Sequence, residues 1–165
     1  MNKLFIPALL VQLFLLAGCA TPPSQAPSLN LIYQPDATVK DSVYAIEQGR
    51  ATFCVVLSVD GTDVANSIGE SIQASFGKGN ILLVRRLDHP ITPGRHSLSI
   101  GCRSVSATPV FDAFNKFKAK GTVEFTAAKE HTYVVKARFD GEAASAWIED
   151  EASGTAATAT VSGGS

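Results

Sequence analysis

The sequence predicts an all-β fold, an antiparallel β-sandwich of about seven strands with one short helix or loop insert. Three observations predict it. Turn pairs recur at short intervals, at Asp60-Gly61, Pro93-Gly94 and Asp140-Gly141. Between them apolar and polar residues alternate with a period of two, as in His96, Leu98, Ile100 and Cys102 against Ser97, Ser99 and Gly101. No segment keeps a helical period over three turns.

The elements follow in order. "SVYAIEQGR" reads as a short strand ended by Gly49. "ATFCVVLSVDGTD" is rich in β-branched and aromatic residues and closes at the Asp60-Gly61 turn. "ILLVRRL" reads as the next strand, after the "GKGN" turn at residues 77–80. In "ITPGRHSLSIGCR" the Pro93-Gly94 pair suits a type II turn, because Pro fixes φ and Gly accepts a positive one. "PVFDAFNKF", residues 109–117, is the best helix candidate, with Val110, Phe111, Phe114 and Phe117 at helical spacing. "GTVEFTA" puts Val123 and Phe125 on one face, and "TYVVKARFDGEAASAWIED" reads as a hairpin turning at Asp140-Gly141.

The flanks differ in composition. Lys3 precedes an apolar run from Leu4 to Leu16 that is too short to span a bilayer, which needs about 20 residues. It has the length and flanks of a secretory h-region. The run ends in Leu16-Ala17-Gly18-Cys19, which resembles the lipobox of bacterial lipoproteins. The resemblance implies a signal peptide over 1–18, cleavage before Cys19 and acyl chains on Cys19. One acyl chain anchors marginally, but two or three hold a domain on a membrane. Ala20, where an aspartate would imply inner-membrane retention, implies the outer membrane by the same resemblance. Residues 19–38 then form a Pro-rich tether, residues 39–151 the folded domain, and "ASGTAATATVSGGS" at 152–165 a flexible tail.

Lys and Arg number 14 and Asp and Glu 15, so no net basic charge is present to drive nucleic-acid binding. Without Cys19, two of the 3 cysteines remain, Cys54 and Cys102. In an oxidising compartment two thiols tend to pair. The alternative is two separate buried thiols. The disulfide is the expected state, although a geometric difficulty stands against it. Cys102 is in phase with inward Leu98 and Ile100, whereas Cys54 is out of phase with Phe53, Val55, Leu57 and Val59. A bridge then needs a bulge, a strand covered on both faces, or pairing at a sheet edge.

No catalytic, metal-binding or cofactor-binding residue is assigned. The 3 histidines, His89, His96 and His131, have no zinc-motif spacing and read as surface or turn residues, with His89 and His96 flanking one turn. No G-x-S-x-G elbow is present. Cys54 lies among Phe53, Val55 and Val56, where burial raises a thiol's pKa. "GKGN" lacks the K-[ST] of a P-loop, and "VDGTDVAN" departs from the EF-hand pattern. Two basic stripes remain. Lys116, Lys118 and Lys120 form one; Arg85, Arg86, Arg95 and Arg103 form the other. Both read as solvated sheet faces, with anionic lipid headgroups or peptidoglycan as the functional alternative.

The "VDG" strand end, "TPGRHSLSI", "VEFTA…HTYVV" and "SAWIED" together resemble the small transthyretin-like or PEGA-type β-sandwich modules of bacterial envelope lipoproteins. The resemblance spans roughly residues 51–150, departs at the insert 104–120 and at the two cysteines, and implies binding or scaffolding rather than catalysis. The expected function is a lipid-anchored, periplasm-facing module that presents a sheet edge or loop to another envelope protein or to peptidoglycan. Phe111, Phe114, Lys116 and Lys118 are the candidate contact element, the alternative being that the phenylalanines cap the sandwich. The competing function is a periplasmic inhibitor of a cell-wall hydrolase, with "TPGRH" as its stiff loop. That loop is basic, where basic hydrolases would select an acidic one.

Overall fold

The computed structural model describes residues 37–47, 49–108, 116–141 and 143–163. The expected signal segment 1–18, Cys19 with most of the expected tether, and Phe111 and Phe114 lie outside the described residues.

The described chain runs β1 (Ala37–Lys40), β2 (Ser42–Glu47), β3 (Arg50–Val59), β4 (Thr62–Asp63), α1 (Ser67–Ser75), β5 (Asp88–Ile91), β6 (Gly94–Ser106), β7 (Phe117–Ala127), β8 (His131–Asp140), β9 (Ala143–Asp150) and β10 (Val161–Ser162). One sheet has the order β10-β9-β8-β1-β5; the other has β2-β3-β6-β7, with β4 hairpinned onto β3. The strands pair antiparallel except β1 with β8. The expected sandwich is present. Its sheets and cores are built from residues 37–163, within a compact unit spanning residues 34–165.

Two hydrophobic cores sit on opposite faces of the second sheet. Between the sheets pack Val39, Cys54, Val56, Leu98, Ile100, Cys102, Phe125, Tyr133, Val135 and Ile148. The Phe125 and Tyr133 rings meet edge to face at 4.6 Å. On the outer face of the second sheet, Ala51, Phe53, Val55 and Val105 pack with Ile68 of α1 and with Leu82 and Val84. A third layer therefore covers β3, and Cys54 and Phe53 are both fully buried although they point in opposite directions.

This resolves the position of Cys54. It pairs in register with Cys102 across β3 and β6, and the two form a disulfide with Cα atoms 4.1 Å apart. A bulge between Val56 and Ser58 then shifts the phase of β3, so Val59 packs into the inter-sheet core and not on the side of Phe53, where strict alternation would place it.

Other expectations need correction. Among the described residues the one helix is α1, in a segment given no helical reading; of the helix candidate at 109–117, residues 109–115 lie outside the described residues and Phe117 opens β7. Residues 81–87 are extended but pair with no strand; they run along α1 instead. The first described strand begins at Ala37, two residues before the expected boundary of 39. The folded domain also continues past 151. Val161–Ser162 pairs with β9, Ala157 N–H donates to the Ile148 carbonyl (2.8 Å), and Lys120 N–H to the Gly163 carbonyl (2.9 Å). The tail is therefore tied to β9 and β7 by these bonds through residue 163, with Val161–Ser162 as its strand. Gly121 makes room for it, since a Cβ there would lie 2.8 Å from Val161 Cγ1.

Candidate functional site

Helix α1 begins at Asn66, whose side chain accepts the Gly69 N–H at 3.1 Å as an N-cap. Its inward face carries Ser67, Ser71 and Ser75, all buried. Their hydroxyl oxygens accept the backbone N–H groups of Leu87, Arg85 and Leu83, each at 2.8 Å. Ser71 also donates to the Arg85 carbonyl at 3.3 Å. The match is geometric. Four helical residues rise about 6 Å and two extended residues advance about 6.6 Å, so serines at every fourth position meet alternate residues of an antiparallel extended chain. The hydroxyls thus replace a neighbouring strand as partners for the 81–87 backbone.

Alternation along 81–87 sends Leu82 and Val84 into the outer core and turns Ile81, Leu83 and Arg85 outward. Because the Leu83 N–H is held on Ser75, the chain reversal at residues 76–83 gathers apolar groups at the C-terminal end of α1. Phe76 is 86% exposed, Ile81 60%, Ile72 39% and Leu83 37%. Phe76 sits on a tip whose following glycines, Gly77 and Gly79, adopt φ of +74 and +65°. Lys78, Arg85 and Arg86 are exposed in the same segment, and residues 71–87 contain no acidic side chain. These exposed apolar groups, with Lys78, Arg85 and Arg86 in the same segment, are the candidate site.

The anchor of this layer is buried. Asp41 lies between β1 and β2, where the chain passes from one sheet to the other. Its Oδ1 accepts the Val56 N–H (2.9 Å) and His89 Nε2 (2.8 Å), and its Oδ2 accepts the Ser67 N–H (2.8 Å) at the start of α1. One carboxylate joins β3, β5 and the helix. His89 is therefore a core residue and not the surface histidine expected from its place beside a turn.

The other histidines also meet aspartates. His96 Nδ1 lies 2.8 Å from Asp60 Oδ2, and the ring's Nε2 lies 2.9 Å from the Thr92 carbonyl. Burial works to lower the His96 pKa, but these two hydrogen bonds and the Asp60 charge outweigh it and raise it. Asp60 is held below the usual carboxylate range by the Ser97 N–H and then by His96. His131 Nδ1 lies 2.6 Å from Asp150 Oδ2, and this bond, with two from Ser153, lowers the Asp150 pKa to about 2. His89 and His96 do not meet across the turn, since each is turned to a different aspartate. Among the described residues no three His, Cys, Asp or Glu side chains are placed to hold a metal ion.

The sequence candidates fall as follows. Cys54 and Cys102 form the buried bridge. Lys116 is exposed before β7, and Lys118 occupies the bulge where β7 slips against β6. The Phe117 ring lies beneath Lys120 Nζ (5.3 Å) and Arg103 Cζ (5.7 Å), against a glycine, Gly101, whose missing Cβ makes space for it. The second basic stripe is not continuous. Arg95 pairs with Glu124 at 3.0 Å and Arg103 covers Phe117, while Arg85 and Arg86 belong to the α1 layer. Sequence reasoning missed Phe76, Ile81 and the serines. The available signal was the four-residue spacing of Ser67, Ser71 and Ser75, shared by Ile68, Ile72 and Phe76 after an N-capping asparagine. No protein-family model, curated protein or solved structure matches the chain.

Proposed function

We propose that the chain is a lipid-anchored, periplasm-facing module of the bacterial envelope, which acts by binding or scaffolding rather than by catalysis. The observation that carries this reading is the Leu16-Ala17-Gly18-Cys19 sequence at the end of an apolar leader, followed directly by a Pro-rich polar stretch. The Cys54–Cys102 disulfide supports it, since such bridges persist in oxidising compartments outside the cytosol. Two closely filled cores support a binding role, because they commit the interior to packing and leave recognition to the surface. The outer-membrane location and the transthyretin-like or PEGA-type relationship belong to the same proposal.

The test is intact-mass analysis of the protein extracted from envelope membranes. The expected mass is that of a chain beginning at Cys19 and carrying acyl groups, with Cys19→Ala accumulating as uncleaved precursor. A mature chain beginning elsewhere, or an unmodified Cys19, refutes the proposal.

A further inference from the structure

We infer that the tip of the α1 layer is a second membrane contact, which binds the anionic phospholipid surface through Phe76 and Ile81 with Lys78, Arg85 and Arg86. The inference deepens the lipid-anchor reading, and its test does not depend on acylation.

Phe76 and Ile81 are 86% and 60% exposed on a projecting reversal, with Ile72 and Leu83 beside them. Nothing in the local fold requires that exposure. Residues 81–87 are already held to α1 by Ser67, Ser71 and Ser75, and inward by Leu82 and Val84. An exposed apolar tip with cations in the same segment fits a lipid interface, where rings and aliphatic chains enter the acyl boundary and ammonium and guanidinium groups meet headgroup phosphates. Residues 71–87 carry three cations and no acid; the acids adjoining that segment are Glu70 of α1, Asp88, and Glu47, which lines a cleft with Asn80. The positive charge of the segment itself favours anionic over zwitterionic lipid. The reach is also sufficient. Eighteen residue steps separate Cys19 from Ala37, and at about 3.3 Å each they extend to roughly 60 Å, so an anchored Cys19 leaves the tip free to touch the same leaflet.

The test uses residues 20–165, which lack Cys19 and keep the complete unit of sheets, helix and cores. Its sedimentation is measured with vesicles of equimolar phosphatidylglycerol and phosphatidylcholine, with phosphatidylcholine vesicles, and with purified peptidoglycan sacculi. The expected result is binding to the phosphatidylglycerol vesicles alone, weakened by salt. Phe76→Ser with Ile81→Ser lowers that binding at least about tenfold. Lys78→Gln, Arg85→Gln and Arg86→Gln lower it about fivefold each. Circular dichroism and the urea midpoint of each variant show whether it keeps its fold, as exposed substitutions should. Absence of vesicle binding, equal binding to both lipid compositions, equal binding by folded variants, or binding to sacculi in place of vesicles overturns the inference. None of these outcomes bears on whether Cys19 is acylated, which the mass of the mature chain reports.

Discussion

Replacing Ser71 by alanine sets two effects of opposite sign against each other. Alanine is the better helix former, which favours the variant by at most about 0.5 kcal/mol. The Ser71 hydroxyl, however, accepts the Arg85 N–H at 2.8 Å and donates to the Arg85 carbonyl at 3.3 Å, at a fully buried position. Residues 81–87 have no strand beside them, so the Arg85 amide loses its partner, at about 1–3 kcal/mol. The net expectation is a loss of about 1–2 kcal/mol. With an m-value of about 1.5 kcal/mol/M, the urea midpoint falls by roughly 1 M. Hydrogen exchange locates the change: the Arg85 amide exchanges faster, while amides in β8 and β9 keep their protection relative to the new global stability. A midpoint equal to or above that of the wild type would refute the serine ladder and leave helix propensity as the deciding factor.

Three further predictions concern other parts of the fold. Cys54→Ala with Cys102→Ala opens a bridge of sequence separation 48 and should cost about 4 kcal/mol by loop entropy; a loss of unfolding free energy below about 1 kcal/mol in urea, measured against the oxidised wild type, rejects that account. Gly121→Val places side-chain atoms where Val161 packs, and limited proteolysis should then trim the chain beyond residue 155 while the β8–β9 hairpin stays intact; an uncut tail contradicts the close approach. The His96–Asp60 pair gives a pH window. The His96 pKa is raised, so its stabilisation is complete below about pH 6.5 and is lost as pH rises through the folded value; that of Asp60 is lowered, so its share is complete above about pH 3.8 and is lost as pH falls through its folded value. Asp60→Asn should lower the His96 midpoint in an NMR titration, and an unmoved midpoint excludes the pairing.

Much of the sandwich was legible because its strands bury one face and expose the other. Val123 and Phe125 are buried while Thr122, Glu124 and Thr126 are exposed, and Tyr133 and Val135 are buried along β8. The first turn pair also holds: Asp60 and Gly61 take φ of +50 and +78°, which is the hairpin geometry that favours Asp-Gly. The candidate surface was harder to read. "SIGESIQAS" puts serines where a helix against a core normally has aliphatic residues, so its buried face looked polar and its exposed Ile72 and Phe76 looked misplaced. "ILLVRRL" has the composition of a strand and is extended, but no strand pairs with it.

By itself the sequence determined the all-β class, most of the strands and the Asp60-Gly61 turn, and its Leu16-Ala17-Gly18-Cys19 stretch resembles a lipobox, which sets the functional expectation. These depend on residues adjacent in the chain, whose periodicity and backbone preferences act locally. The tertiary structure alone decided which thiol faces which, that Asp41 joins three elements, and that the small, charge-free C-terminal stretch is tied to β9 and β7 with a strand at Val161–Ser162. It also decided that Phe76 and Ile81 stand in solvent. Each outcome depends on what lies across a sheet or helix from the residue, and a partner distant in the chain leaves no local pattern to mark it.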